Sequence, residues 1–311
     1  MKSTMFLNNI TCIDHAYVDE NGKINGMSYN LCVEIVGEVD ETEQVVIDFS
    51  GCKKAIKHLV DESEHAIDHR LVLINGYSEY VMGEVENRAR VQIDTPIFGA
   101  VATVDDWYQE ITDVTLFENE LNIPSDTKYM NYVTEYLEEM LLTQLKKLGY
   151  PVTHVAVELS ESFDLPSWAN THVEFNYAHG LRSSSSYGCQ NIAHGHRSFI
   201  AVDSMLNSRG RKVLKQIAEE MSGYIVWNEN LQSEHELSYT SGRGNFYMCI
   251  DPEEMVVIPT ETTVENLAEY IKNTYLDELQ KIGVTRMWVS EGLSKGAVVD
   301  IQLNKALYTK Q

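Results

Sequence analysis

The sequence predicts an α+β protein that contains the same folding unit twice. Segments of strand-like and helical periodicity follow one another in the same order in both parts of the chain. Short sequences also repeat, since Pro-Ser-Asp-Thr at 124–127 and Lys-Leu-Gly at 147–149 are matched by Pro-Thr-Glu-Thr at 259–262 and Lys-Ile-Gly at 281–283. The length of 311 residues, of which 43% are hydrophobic, suits about two average domains and is too apolar for a disordered chain.

The first half begins with a predicted hairpin, because two strand-like segments flank the turn sequence Asp-Glu-Asn-Gly at 19–22. Ala55, Ile56 and Leu59 then recur at helical spacing. The predicted elements are strands 6–15 and 28–37, helices 50–61 and 124–148, and strand 152–158. Residues 74–118 are too numerous for a plain loop and are predicted to form an insertion.

The second half repeats this order without an insertion of that length. Its predicted elements are strands 172–179 and 194–203, helices 209–221 and 263–282, and strands 284–291 and 296–302. Pro166-Ser167 interrupts the pattern near 162–171, so the domains are predicted at 1–165 and 170–311. Each unit would place helices on one face of antiparallel strands.

Net charge and the absence of targeting signals limit the partners and the location that we expect for the protein. Lys and Arg number 24 against 47 Asp and Glu, which gives a net charge of −23 and argues against nucleic-acid or anionic-membrane partners. The N-terminus lacks the apolar core of a signal peptide and no apolar run approaches a membrane span, so we expect a cytoplasmic protein. The five cysteines are widely spaced and form no CxxC pair, which predicts buried thiols rather than disulfides.

Three histidines of the second half predict a metal site. His194 and His196 lie two residues apart on a strand and therefore point to the same face. His179 ends the preceding strand of the same hairpin. Three imidazoles with one open position are typical of catalytic zinc. The alternative is two exposed strand histidines beside a loop.

These residues belong to a longer series of motifs. In order, the second half contains Phe-Asn-Tyr-Ala-His at 175–179, Cys189, His-Gly-His at 194–196, Pro-Thr-Glu-Thr-Thr-Val-Glu-Asn at 259–266 and Val-Ser-Glu at 289–291. This series resembles the 6-pyruvoyltetrahydropterin synthase and 6-carboxytetrahydropterin synthase family, which has the tunnelling fold, or T-fold. The family's Asp-His motif is missing from this half, where Val-Trp-Asn-Glu-Asn stands at 226–230.

The first half resembles the same family through different residues. Asp68-His69 matches the Asp-His motif, and His15 matches the first zinc ligand. Asn25-Gly26-Met27 stands in place of His-Gly-His, and aligning the Val-Thr pairs puts Leu159 opposite Glu291. We therefore expect one zinc ion per chain, bound in the second half.

The resemblance implies a role for each matching residue. It makes His179, His194 and His196 the zinc ligands, Cys189 a general base near the metal, and Glu291 the anchor of a pterin ring, with Glu265 also in the site. Each half lacks family motifs that the other half contains. We therefore hypothesise that Asp68 and His69 complete the second-half site. The alternative is that they are a structural relic within their own domain.

A local excess of basic residues suggests an anionic substrate. Arg182 and Arg197 belong to a basic window between Gly180 and Lys215 in which Asp203 is the sole acid. A triphosphate would suit this window and the helix N-terminus within it. An ordinary basic helix face is an equally good explanation.

Together these expectations describe a zinc-dependent lyase acting on 7,8-dihydroneopterin triphosphate. The product would be 6-carboxytetrahydropterin, as used in 7-deazaguanine and queuosine synthesis. The alternatives are 6-pyruvoyltetrahydropterin synthase activity and a non-catalytic pterin or purine binder. Because family members assemble six single units, three of these two-unit chains would form a homotrimer with pseudo-hexameric geometry.

Overall fold

The computed structural model describes residues 1–18, 23–63, 65–74, 80–85, 88–94, 98–103, 114–117, 129–180, 194–228, 236–241, 244–250 and 252–302. For the strands between 80 and 117 and between 236 and 250, it describes the backbone without side chains.

Seventeen strands and five helices are assigned in these parts of the chain. The strands of the first half are β1 (Lys2–Leu7), β2 (Cys12–Val18), β3 (Ile24–Glu38), β4 (Leu71–Ile74), β5 (Tyr80–Val85), β6 (Arg88–Asp94), β7 (Phe98–Thr103), β8 (Val114–Phe117) and β9 (Val152–Ser160). Those of the second half are β10 (Thr171–His179), β11 (His194–Val202), β12 (Tyr224–Asn228), β13 (Glu236–Ser241), β14 (Gly244–Ile250), β15 (Met255–Ile258), β16 (Arg286–Glu291) and β17 (Lys295–Asp300). The helices are α1 (Phe49–Asp61), α2 (Tyr129–Lys147), α3 (Ser208–Glu219), α4 (Val264–Thr274) and α5 (Leu276–Lys281).

The two main sheets have the same topology. In the first, β2 pairs antiparallel with β3 and parallel with β4, β4 pairs parallel with β8, and β9 pairs antiparallel with β3. In the second, β10, β11, β12, β15 and β16 repeat these pairings in the same order. The sheets differ at their edges, where β1 extends the first and β17 the second. The predicted α+β architecture with a repeated unit is confirmed.

The helices of each half form one core with their own sheet. Ile56 and Val60 of α1 and Leu137 and Leu141 of α2 are buried with residues of the first sheet, such as Ile35. In the second half α3, α4 and α5 contribute to one core with β10, β11 and β16. α1 begins at Phe49 because the Asp48 carboxylate accepts a hydrogen bond from the Gly51 amide.

Two predicted elements are divided in the structure. The strand predicted at 6–15 is interrupted between β1 and β2, where Asn9 has a φ of 47° that strands do not accommodate. The helix predicted at 263–282 consists of α4 and α5, which meet at Tyr275 with φ −112° and ψ 26°. Neither break contains proline or glycine, so the usual sequence signals for a break were absent.

Three strands from the range predicted as an insertion form a third sheet together with the second half, whereas β8, also within 74–118, belongs to the first main sheet. β5, β6 and β7 form an antiparallel meander, and β7 also pairs antiparallel with β14, which in turn pairs with β13. Thr103 lies opposite Asn245 in this sheet. The halves therefore share a sheet of five strands besides the two that each builds alone.

The two main sheets also contact each other closely at a pair of glycines. A Cβ atom on Gly195 would lie 2.5 Å from the Gly26 Cα atom and 2.7 Å from the Tyr177 carbonyl oxygen. A Cβ atom on Gly26 would lie 2.1 Å from that same oxygen. Since every contacted atom is backbone, no side-chain rotation can make room.

Replacing Gly195 with alanine is therefore expected to destabilise the chain. The added methyl group would push β3 away from β11, with a cost on the order of 1–3 kcal/mol or more in the free energy of unfolding. Urea unfolding of Gly195→Ala measures this cost. An unfolding midpoint equal to that of the wild type would contradict the close contact.

Candidate metal centre

The three histidines of the second half converge in the interior. His179 lies opposite His194 on the β10–β11 hairpin, and His196 lies two residues further along β11. All three are fully buried, and one nitrogen from each lies within 4.8 Å of the others. The spacing of two along a strand thus delivers all three rings to one face.

The hydrogen bonds of His179 leave one nitrogen available as a ligand. Its Nδ1 lies 3.0 Å from the Thr262 hydroxyl, which itself donates to the Gly180 carbonyl oxygen. The hydroxyl must therefore accept the Nδ1 proton, so Nε2 carries the lone pair. Burial, reinforced by His196, holds the pKa of His179 well below its ordinary value, so the ring is neutral.

A metal ion fits between these rings. The Nε2 atoms of His179 and His196 lie 3.1 Å apart, which two lone pairs tolerate only with a proton or a cation between them. Zinc–nitrogen bonds of about 2.0–2.1 Å place tetrahedral ligand nitrogens about 3.4 Å apart, close to this distance. Both ring nitrogens of His194 are buried without a hydrogen-bond partner, and burial lowers its pKa far below the ordinary value. The cluster therefore offers one nitrogen from each of the three histidines as a ligand.

The first half supplies the next residues around the cluster. The ring of His69 lies 5.2 Å from that of His194 and 6.5 Å from that of His196, measured between centroids. Its Nδ1 lies 2.6 Å from one carboxylate oxygen of Asp68, whose other oxygen accepts from the Asp14 amide. His69 adopts a left-handed φ of 55°, fixed by its amide donating to the Asp14 carbonyl oxygen. The structure thus brings Asp68-His69 to the triad within one chain.

Glu291 also faces the cluster. At the end of β16, one of its carboxylate oxygens lies 3.8 Å from His196 Nε2 and the other lies 3.8 Å from the Lys295 ammonium. Its side chain is 17% exposed, so it stands between the buried triad and solvent. A carboxylate at this place can meet a bound molecule that approaches from outside.

Of the other residues predicted for the site, the structure describes Arg197 and Glu265, and neither contacts the triad. Arg197 points to the opposite face of β11, where it contacts Glu174, the Glu161 carbonyl oxygen and the face of Phe163. Glu265 is exposed in the first turn of α4 and has no ion pair among the described residues. Cys189 and Arg182 lie outside the described residues.

Sequence reasoning missed two residues that contact the cluster and a third that supports one of them. Thr262 is the partner of His179, and Asp14 lies 3.3 Å from His196 Nδ1. Lys295 forms an ion pair with Asp14. On β2, Asp14 lies between the buried residues Ile13 and His15 and points to the face opposite theirs. An acidic residue within such an apolar strand was the sequence feature that could have indicated a buried functional carboxylate.

The corresponding place in the first half has different side chains. Ala16 lies opposite Gly26 as Ala178 lies opposite Gly195, so Tyr17, Asn25 and Met27 occupy the positions of the three ligands. The alignment of His15 with the first ligand is wrong by two residues. The error arises because residues two apart point to the same face of a strand.

The terminal glutamate needs the same correction. Leu31 pairs with Leu159 as Ile200 pairs with Val289, so Glu161, and not Leu159, corresponds to Glu291. Tyr129 fills the first-half position by stacking on Tyr17 at 3.7 Å. Among the residues that the structure describes, the one cluster able to hold a metal is therefore that of the second half.

His15 itself provides a test of burial in the first half. Its Nε2 lies 2.9 Å from the Tyr129 hydroxyl, and burial lowers its pKa to about 3, against a weaker opposing effect of Asp14. The unfolded chain, with a pKa of about 6.5, binds more protons between these values. Stability should therefore fall as pH falls from about 6.5 towards 3.

The measurement compares wild type with His15→Gln in urea. We expect the stability advantage of the wild type to be smaller by about 1.4 kcal/mol at about pH 5.5 than at about pH 7.5. The same advantage at both pH values would show that His15 is not held neutral.

Comparison with known proteins gives distant structural likenesses. A catalytic-residue variant of 6-pyruvoyltetrahydropterin synthase from Plasmodium vivax matches with 18% identity and a TM-score of 0.33, over 53% of this chain and 94% of that one. The Plasmodium falciparum synthase matches with 20% identity and a TM-score of 0.32, over 52% and 92%. Uncharacterized protein WS1659 from Wolinella succinogenes matches with 15% identity and a TM-score of 0.33, over 42% and 96%.

Two of these three are synthases of the family that the motifs resemble. At these identities and TM-scores, the likeness by itself decides nothing about function. No family model and no curated protein matches the chain. None of the helices in the described ranges combines the length and hydropathy that crossing a bilayer requires.

Proposed function

We propose that the chain is a zinc-dependent lyase that converts 7,8-dihydroneopterin triphosphate to 6-carboxytetrahydropterin, as in 7-deazaguanine and queuosine synthesis. One observation carries the proposal: a buried triad of histidines with Asp68-His69 of the other half beside it. The motif resemblance supplies the substrate class. The triad alone would suit many hydrolytic or lyase reactions.

Zinc held by His179, His194 and His196 would act as a Lewis acid that lowers the pKa of the substrate's side-chain hydroxyls. His69 lies at the edge of the triad with its Nδ1 on the Asp68 carboxylate, so its Nε2 is the atom that would accept or return a proton. Asp68 fixes the ring orientation and stabilises the imidazolium that forms. We assign the second proton transfer to Cys189 on the resemblance.

Glu291 is the proposed anchor of the pterin ring. Two carboxylate oxygens can accept parallel hydrogen bonds from the N–H and amino groups on one edge of the ring. Its distance of 3.8 Å from His196 Nε2 would set the ring beside the triad and direct the side-chain hydroxyls towards the metal. We also propose Glu265 and Arg182 as substrate contacts on the resemblance, whereas the pairing of Arg197 with Glu174 argues against a direct role for Arg197.

We also propose how the chains assemble and where the enzyme is located. A homotrimer with pseudo-hexameric geometry would join the exposed sheet edges of three chains. Light scattering at micromolar concentration would measure its mass, and a monomeric mass would exclude it. We propose a cytoplasmic enzyme.

The deciding experiment incubates zinc-loaded protein with 7,8-dihydroneopterin triphosphate and identifies the product by mass spectrometry. Formation of 6-carboxytetrahydropterin is the expected result, and 6-pyruvoyltetrahydropterin would place the chain in the other branch. Zinc bound at one ion per chain without turnover of any dihydropterin would favour a non-catalytic binder.

A further inference from the structure

The carboxylate of Asp14 belongs to the first half but contacts a ligand of the second-half triad. Its Oδ1 lies 3.3 Å from His196 Nδ1 and accepts a hydrogen bond of 2.5 Å from the Ser28 hydroxyl, and its Oδ2 lies 3.2 Å from the Lys295 ammonium. The residue is 1% exposed. A carboxylate so deeply buried must be compensated, and these three groups compensate it.

The surroundings of the Asp14 carboxylate suit a negative charge, because the Lys295 ammonium lies beside one oxygen and the Ser28 hydroxyl donates to the other. The carboxylate lies behind His196 at an ion-pair distance, on the side of the ring that carries Nδ1. Among the described contacts, the corresponding side of His179 meets the Thr262 hydroxyl instead of a carboxylate.

The backbone of the same residue holds the proposed proton-transfer pair. The Asp14 amide donates to Asp68 at 2.8 Å, and its carbonyl oxygen accepts from the His69 amide at 2.6 Å. Asp14 thus touches the triad through its side chain and Asp68-His69 through its main chain. Gly292 leaves room for the carboxylate on its other side, because a Cβ atom there would lie 2.5 Å from Oδ1.

We propose that Asp14 is a positioning residue that keeps the Nδ1 proton on His196, so that Nε2 is presented to the metal, and adds negative charge to the centre. This inference rests on the proposed metal site. A carboxylate behind a metal-bound imidazole fixes its tautomer and raises its basicity, and loss of such a partner typically weakens metal binding 10–100-fold.

Lys295 opposes this effect. Its ammonium, 49% exposed, lies between Asp14 and Glu291 and partly neutralises both carboxylates. Removal of the Lys295 charge should strengthen metal binding, because it removes a positive charge near the centre and leaves the Asp14 charge unshared. The part that depends on Asp14 is the loss of affinity when Asp14→Asn is added to the Lys295 variant.

The test measures Zn²⁺ affinity by competition with a chromophoric chelator. Asp14→Asn keeps the shape that packs on Gly292 and leaves the backbone bonds to Asp68-His69 in place, but removes the charge. We expect its affinity for Zn²⁺ to fall 10–100-fold. The matched control is Asp61→Asn, another poorly exposed acid of the first half, which pairs with Lys57 and Thr11 and should bind as the wild type does.

A merely structural role predicts a different pattern. Asp14→Asn would then unfold more easily in urea, but Zn²⁺ would add as much stability to the variant as to the wild type. That result, or unchanged affinity, would overturn the inference. If wild-type protein bound no Zn²⁺, the proposed function would fail as well, and this outcome is recognised before any variant is compared.

The double variant Asp14→Asn with Lys295→Met keeps the inference testable if Asp14→Asn does not fold, because it removes both members of the ion pair. We expect it to bind Zn²⁺ 10–100-fold more weakly than Lys295→Met alone. Equal binding by these two variants would count against Asp14 as a partner of the metal centre.

Discussion

Replacing His194 with alanine is expected to remove metal binding almost completely. Two imidazoles do not hold zinc as three do, and in the described first half the positions that match the three ligands hold Tyr17, Asn25 and Met27, which supply no imidazole. We expect the affinity for Zn²⁺ to fall by more than about 100-fold, beyond the effect typical of residues behind the ligands. Chelator competition and elemental analysis measure this loss.

Two histidines serve as controls for this loss. His172→Ala changes an exposed histidine on the same strand, β10, and His15→Ala removes the buried histidine of the first half. Both should retain about one zinc per chain. Two zinc ions per wild-type chain would contradict the assignment and would require ligands from outside the described residues.

Replacing His69 with alanine is expected to reduce turnover while metal content stays unchanged. His69 lies beside the triad rather than in it, so its loss should remove a proton transfer worth about 10²–10⁴-fold in kcat. Product formation from 7,8-dihydroneopterin triphosphate measures turnover, and elemental analysis measures the metal. His58→Ala is the control, because this exposed histidine of the same half pairs with Glu62 and not with the triad or Asp68 in the described part of the chain.

A mixing experiment shows whether the site is completed within one chain. If Asp68-His69 serves the triad of its own chain, combining His69→Ala with His194→Ala protein should restore no activity, even after joint refolding. Recovery of activity would show that His69 reaches a neighbouring chain. Near-wild-type turnover of His69→Ala alone would remove Asp68-His69 from the site altogether.

The sequence predicts the metal centre because local geometry determines it. Two histidines spaced by two on a strand must share a face, and a third at the facing end of a hairpin must meet them. The same local rule misplaced His15, since a shift of two residues preserves the face and only the pairing of Ala16 with Gly26 fixes the register.

Contacts between distant segments could not be predicted in this way. Asp14 meets His196 because two sheets approach at Gly26 and Gly195, and no local pattern encodes which strands approach. The motif identified Asp68-His69 as candidates, but their place beside His194 follows from that same approach. The pairing of β7 with β14 could not be predicted either, because the sequence of each strand contains no information about a partner in the other half.

The sheet shared by β7 and β14 has a consequence for how the chain folds. During synthesis the edge of β7 stays unpaired until residues 244–250 have left the ribosome, so an open strand edge persists for much of translation. Contacts at such separation slow folding. We expect the nascent first half to need protection from self-association, and the shared sheet to form only once β14 has been synthesised.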